Sequence, residues 1–89
     1  MSALFPIITQ VKKLHGHLVI FIPLDKGGRE LSSATRGLSD IEGPDLKIVF
    51  PGWLAQELGL EVDCDVSIDI KNNQFNIQRQ TVQPSLQNT

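Results

Sequence analysis

Lys12 and Lys13 stand side by side in a stretch of β-forming residues, and His15 and His17 flank Gly16 just after them. Further along, Lys26-Gly27-Gly28-Arg29, with Arg36, places three cations in a glycine-rich segment. The chemistry open to such residues is neutralisation of phosphate, which positions a nucleic acid without reading its sequence. Adjacent strand residues point to opposite faces, so Lys12 and Lys13 cannot both meet one backbone unless the strand bends or a second copy supplies the partner. His17 and Arg36 would add modest base contacts. The glycine-rich segment lets backbone N–H groups approach an anion, but it lacks the G-x-x-x-x-G-K-[ST] spacing of a nucleotide-binding loop.

Other chemistries find less support. His15 and His17 share a strand face, but no third metal ligand is evident. Asp63, Asp65 and Asp69 line one side of a strand without a glycine-rich cation loop, and read as a solvated acidic row. That row would repel nucleic acid, so a DNA surface is expected at the opposite end of the molecule. Cys64 falls on the apolar side of its strand, where a free thiol acts as a small hydrophobe. No Ser/His/Asp set and no paired carboxylates suggest catalysis. The residues point to a protein that is not an enzyme and takes no cofactor and no metal.

The elements that must carry these residues are short. The segment 7–14 reads as a strand, His15-Gly16-His17 as a turn, and 18–22 (LVIFI) as a second strand stopped by Pro23, making a first hairpin. Segment 24–44 has mixed charge, four glycines and no sustained period. It reads as a long loop, with a helical turn possible near 31–36. Segment 46–50 is a strand ended by Pro51, and 53–58 a helix ended by Gly59, with Leu60 folding back. From Cys64 to Ile70 apolar and polar residues alternate; Asn72-Asn73 turns the chain, and Phe75 and Ile77 resume the inward face. The polar run 80–89 reads as a frayed tail.

The chain has 89 residues, one cysteine and a net charge of −2. This fits one domain, read as 1–79, without an internal disulfide. A domain so small is marginal alone, and self-association is the remaining remedy. No stretch approaches the ~18 apolar residues of a membrane helix. No secretory leader is read at the N-terminus, so a reducing cytoplasm is the expected setting.

The order strand-Pro-short helix-Gly-hairpin resembles the AbrB/MazE/SpoVT group of swapped-hairpin regulators. The resemblance rests on Ile48-Val49-Phe50-Pro51, on 54–60 and on 66–70, and covers about 46–79. It implies a mainly β fold with one short helix, closed into a β-barrel by two chains. It also implies a homodimeric DNA-binding transcription regulator or antitoxin, with a cognate toxin as a possible protein partner. Val19, Phe21, Ile48, Phe50, Trp53, Leu54, Leu58, Val66, Ile68 and Phe75 would form the core or dimer interface. Segment 11–19 is similar to the opening hairpin of MazE-type antitoxins. The long gap after it, together with Gly52-Trp53-Leu54, looks more like the SymE branch, whose members are described as toxins acting on RNA; RNA cleavage belongs to that alternative alone. The family's arginine before Ile-Pro is Phe21 or Val49 here, and its Gly-Asp turn is Asp63-Cys64. A protein-interaction module of the same fold is the third reading.

Overall fold

A computed structural model of the protein describes residues 5–80. The fold is mainly β, with two antiparallel sheets and two short helices. Strands β1 (Ile7–Gln10), β2 (Lys12–Leu14) and β3 (His17–Pro23) come first. A 3-10 turn (Leu24–Lys26) leads into α1 (Gly28–Ala34). Then follow β4 (Ser39–Glu42), β5 (Asp45–Phe50), α2 (Gly52–Leu58), β6 (Asp65–Lys71) and β7 (Gln74–Gln80). One sheet has the order β1-β6-β7, the other β2-β3-β5-β4, and neither closes on itself among the described residues.

The strand expected over 7–14 is divided between the two sheets. Ile7 pairs with Ile68 on β6, whereas Lys12 pairs with Val19 on β3. Val11 is the corner: its N–H donates to the Cys64 carbonyl at 2.9 Å, and its carbonyl accepts from the Asp63 N–H at 2.7 Å. Its side chain is fully buried, so the corner is pinned by packing as well as by hydrogen bonds. His15 and Gly16 then turn the chain with φ of 53° and 82°. Histidine tolerates this left-handed conformation better than a β-branched residue would.

Where the sequence suggests a loop over 24–44, the structure has the 3-10 turn, a second helix and an edge strand. Helix α1 spends few apolar residues: Gly28, Leu31 and, one turn later, Thr35 face inward. This spacing of three and four is a helical stripe, but with one large apolar member it is hard to see in a glycine- and serine-rich run. Thr35 is buried because its hydroxyl donates to the Leu31 carbonyl at 2.9 Å and lies 2.8 Å from Ser39 Oγ.

The later elements follow the sequence reading closely. Helix α2 ends at Gly59 with φ of 67°, and the Leu60 N–H returns to the Ala55 carbonyl at 2.9 Å. Leu60 is buried by this fold-back. Asn72 and Asn73, both at positive φ, form the two-residue turn between β6 and β7. Val66 and Ile68 are buried on β6, while Phe75 and Ile77 on β7 pack against the core from its rim.

The core lies between the sheets, with α2 packed over one part of it. It joins Val11, Ile20, Ile22, Leu31, Leu46, Ile48, Phe50, Ala55, Leu60, Val66 and Ile68. Of the core positions read from the sequence, Ile48, Phe50, Val66 and Ile68 are in it, and Leu54, Leu58 and Phe75 pack against it. Val19 is buried and Phe21 half-buried, but they alternate with Ile20 and Ile22 toward the other face of the sheet. Trp53 is not core: it is 68% exposed. The packed face of α2 carries Leu54, Ala55 and Leu58. Trp53 shares its side of the helix with the exposed Gln56 and Glu57, three and four residues on. Of the run 80–89, Gln80 closes β7 and the rest lies outside the described residues.

Candidate nucleic-acid interface

The cationic residues singled out in the sequence fall into two groups. Lys12, Lys13 and His17 gather at the β2–β3 hairpin. Lys26, Arg29 and Arg36 gather on and around α1, which packs at the other end of β3, where Gly28 sits against the backbone of Ile22 and Pro23. Seven strand residues, His17–Pro23, separate the groups by ~20 Å.

The α1 group is the better organised. Gly28, Leu31 and Thr35 face inward, and Arg29 and Ser33 lie four residues apart on an exposed side of α1; Lys26 precedes the helix in the 3-10 turn, across the left-handed Gly27, and Arg36 follows the C-cap Thr35. All four are exposed. The Ser32 and Ser33 hydroxyls bond back to their own helix, donating to the Arg29 and Glu30 carbonyls at 2.8 and 3.5 Å. Asp25 in the 3-10 turn and Glu30 in the first turn of α1 reduce the net charge of the segment. The three cations were legible in the sequence, whereas the exposed Ser33 on the helix of Arg29 was not singled out there.

The hairpin group is less uniform. Lys12 is in an ion pair with Asp63, Nζ to Oδ1 at 3.4 Å, and donates to Gln10 Oε1 at 2.6 Å. The acidic row is therefore not remote from the lysines, as its charge suggested. The Val11 corner brings Asp63 beside Lys12, because Asp63 N–H bonds the Val11 carbonyl. Both side chains are more than half exposed, so solvent screens the pair and it contributes little to stability. Lys13, His15 and His17 are exposed, and Lys13 is in no ion pair among the described residues.

The other ion pairs are structural. Lys47 meets Glu42 at 3.2 Å across β4 and β5, with only 17% of the lysine side chain exposed. Arg79 donates to the Gly59 carbonyl at 2.8 Å and lies 3.5 Å from Glu61, tying β7 to the end of α2. That leaves Lys13, Lys26, Arg29, Arg36 and Lys71 without an acidic partner among the described residues. Four of those five belong to the two groups.

Among the described residues no three His, Cys, Asp or Glu side chains converge as a metal site. A shallow polar groove on the outer face of β6 and β7, lined by Ser67, Asp69, Asn76 and Gln78, holds none of the six residues. No helix among the described residues is long and apolar enough to cross a membrane. Comparison with family models, with characterised proteins and with solved structures finds no match to this chain.

Proposed function

We propose that this protein is a small nucleic-acid-binding regulator of the AbrB/MazE-like kind, working as a homodimer in the cytoplasm with DNA as its ligand. The observation that carries the reading is the distribution of free cations. Lys12, Lys47 and Arg79 are in ion pairs, while Lys13, Lys26, Arg29 and Arg36 stand exposed, without an acidic partner among the described residues, at the hairpin and on or beside α1. Exposed cations on ordered elements suit contact with phosphate oxygens. The mechanism is neutralisation of the backbone at two patches per chain, doubled by the two-fold of the dimer.

The element order β5-Pro51-α2-Gly59 and the hairpin that follows support the swapped-hairpin assembly, as does the small size of the protomer. A cognate toxin bound by an antitoxin-like dimer belongs to the same reading. The SymE-like alternative, an RNA-directed toxin, is favoured by one observation, the exposure of Trp53, because aromatic platforms suit unpaired bases.

The test is fluorescence anisotropy of a labelled DNA duplex and a labelled single-stranded RNA at ~50 and ~200 mM salt. A variant with Lys26→Gln, Arg29→Gln and Arg36→Gln is compared with the parent. Each phosphate contact contributes about 0.9 to the log-log salt slope, so three contacts account for roughly 40-fold of affinity over that salt range. The variant should lose about that much salt dependence. Absence of binding by the parent at low salt refutes the reading. Binding of RNA alone, with growth arrest on expression, would replace it with the toxin alternative.

A further inference from the structure

We infer that β7 is a self-pairing edge: two copies of the chain join β7 to β7, antiparallel about a two-fold axis at Ile77, and make one six-stranded sheet of their two three-stranded ones. The inference rests on the homodimer proposed above and names the edge at which the copies meet; it needs no nucleic acid.

The first ground is a comparison of the sheet edges. An edge strand leaves a row of N–H and C=O groups open to another strand, and proteins blunt such edges by keeping them short or charged. Strands β1 and β7 edge one sheet, β2 and β4 the other. Strands β1 and β4 have four residues each and β2 has three. Lys12 and Lys13 charge β2, and Asp40 and Glu42 charge β4. Strand β7 has seven residues, no proline and one charged residue, Arg79. It pairs with β6 on one side and with no strand on the other among the described residues. None of its residues is buried.

The second ground is that the pattern of β7 is its own complement. Two strands related by a two-fold keep their inward faces on one side of the joint sheet only when the axis passes a residue and its own copy. Ile77 is the middle residue of β7, so an axis there uses the whole strand. Ile77 then meets Ile77 of the second copy, and Phe75 meets Arg79. Asn76 meets Gln78, and Gln74 meets Gln80. An axis at Asn76 or Gln78 would shorten the ladder, and one at Arg79 would set two guanidinium groups opposite each other.

At Ile77 each face is matched. Ile77 lies opposite the buried Ile68, so Phe75, Ile77 and Arg79 are on the core side. Phe75 and Ile77 are half-buried at the rim of the core, and pairing covers their open flank. Arg79 keeps its bond to the Gly59 carbonyl while the Phe75 ring of the second copy comes beside it. The outer face presents only amides, which both donate and accept across the strands. No like charges meet. An unrelated strand would match this edge by chance, whereas a second copy matches it by construction.

The full chain is followed without oligonucleotide by light scattering from ~1 to ~100 μM, with amide hydrogen exchange in parallel. The parent should reach dimer mass, and β7 amides should exchange more slowly as concentration rises. Asn76→Lys with Gln78→Lys sets ammonium against ammonium twice about the axis and should weaken the dimer roughly 10-fold or more. Asn76→Lys with Gln78→Glu sets opposite charges at the same places and should dimerise at least as well as the parent. Both positions are exposed in the single chain, so circular dichroism of both variants should match the parent. A parent that stays monomeric at ~100 μM overturns the inference and the homodimer together. Equal dimerisation of parent and both variants places the contact elsewhere; it overturns the inference and leaves the homodimer standing. Equal weakening of both variants shows that Asn76 does not face Gln78 across the axis, and also overturns it.

Discussion

Gly28 and Gly52 each begin a helix, and replacing them with alanine should have opposite effects. Helix propensity alone treats the two alike: alanine gains ~0.5–1 kcal/mol over glycine in a helix, less at its first residue. The surroundings separate them. A Cβ on Gly52 would meet nothing within 4 Å. A Cβ on Gly28 would lie 2.7 Å from the Ile22 carbonyl oxygen and 2.9 Å from that of Pro23. Both obstacles are backbone, so no rotamer change relieves them; α1 must move away from β3 or the strand must distort. Overpacking of this kind costs ~1–3 kcal/mol and outweighs the propensity gain. The expected net loss for Gly28→Ala is ~1–2 kcal/mol, a fall in Tm of roughly 5–15 °C for a domain of this size. Gly52→Ala should leave Tm unchanged or raise it by a few degrees, about 1 kcal/mol at most. Thermal unfolding followed by circular dichroism measures both. A Gly28→Ala protein as stable as the parent would show that α1 does not rest on the end of β3, and the placement of Lys26, Arg29 and Arg36 would fall with it.

Thr35→Val should lower Tm by roughly 5–10 °C, because the buried Leu31 carbonyl and the Ser39 hydroxyl lose a partner; Thr35→Ser should cost less, and equal melting of parent and valine variant would count against the buried hydrogen bonds. The Lys12–Asp63 pair, exposed on both sides, should show a coupling below about 1 kcal/mol in a double-mutant cycle with Lys12→Met and Asp63→Asn. A larger coupling in urea unfolding would mean that the pair is better shielded than its exposure indicates.

The cations form two groups, one at the β2–β3 hairpin and one on and beside α1. The cations on and beside α1 are point charges and would hold backbone of any sequence. Whether the two groups act on one strand or two is set by the ~20 Å between them, a span that a few extended nucleotides or one edge of a duplex can cross.

The sequence by itself determined the second half of the fold. Alternation from Val66 to Ile70 specifies which side chains of β6 go inward, and Asn72-Asn73 specifies a tight turn. Pro51 and Gly59 bound α2. These are local statements, since dihedral preference and side-chain period act over a few residues. The cation set was legible too, but not its arrangement. Three features came only from the tertiary structure. The period of two runs through 7–14 without showing that hydrogen bonding passes from one sheet to the other at Val11, because period reports which side is apolar and not which strand lies alongside. Helix α1 rests on a single buried leucine, a threonine and a close glycine contact, all of which have meaning only against β3 and β5. Trp53 is apolar in sequence yet exposed in the fold, because helix phase relative to the core assigns the inward face to Leu54, Ala55 and Leu58. Each depends on contacts between residues far apart in the chain, and local sequence carries no record of the partner.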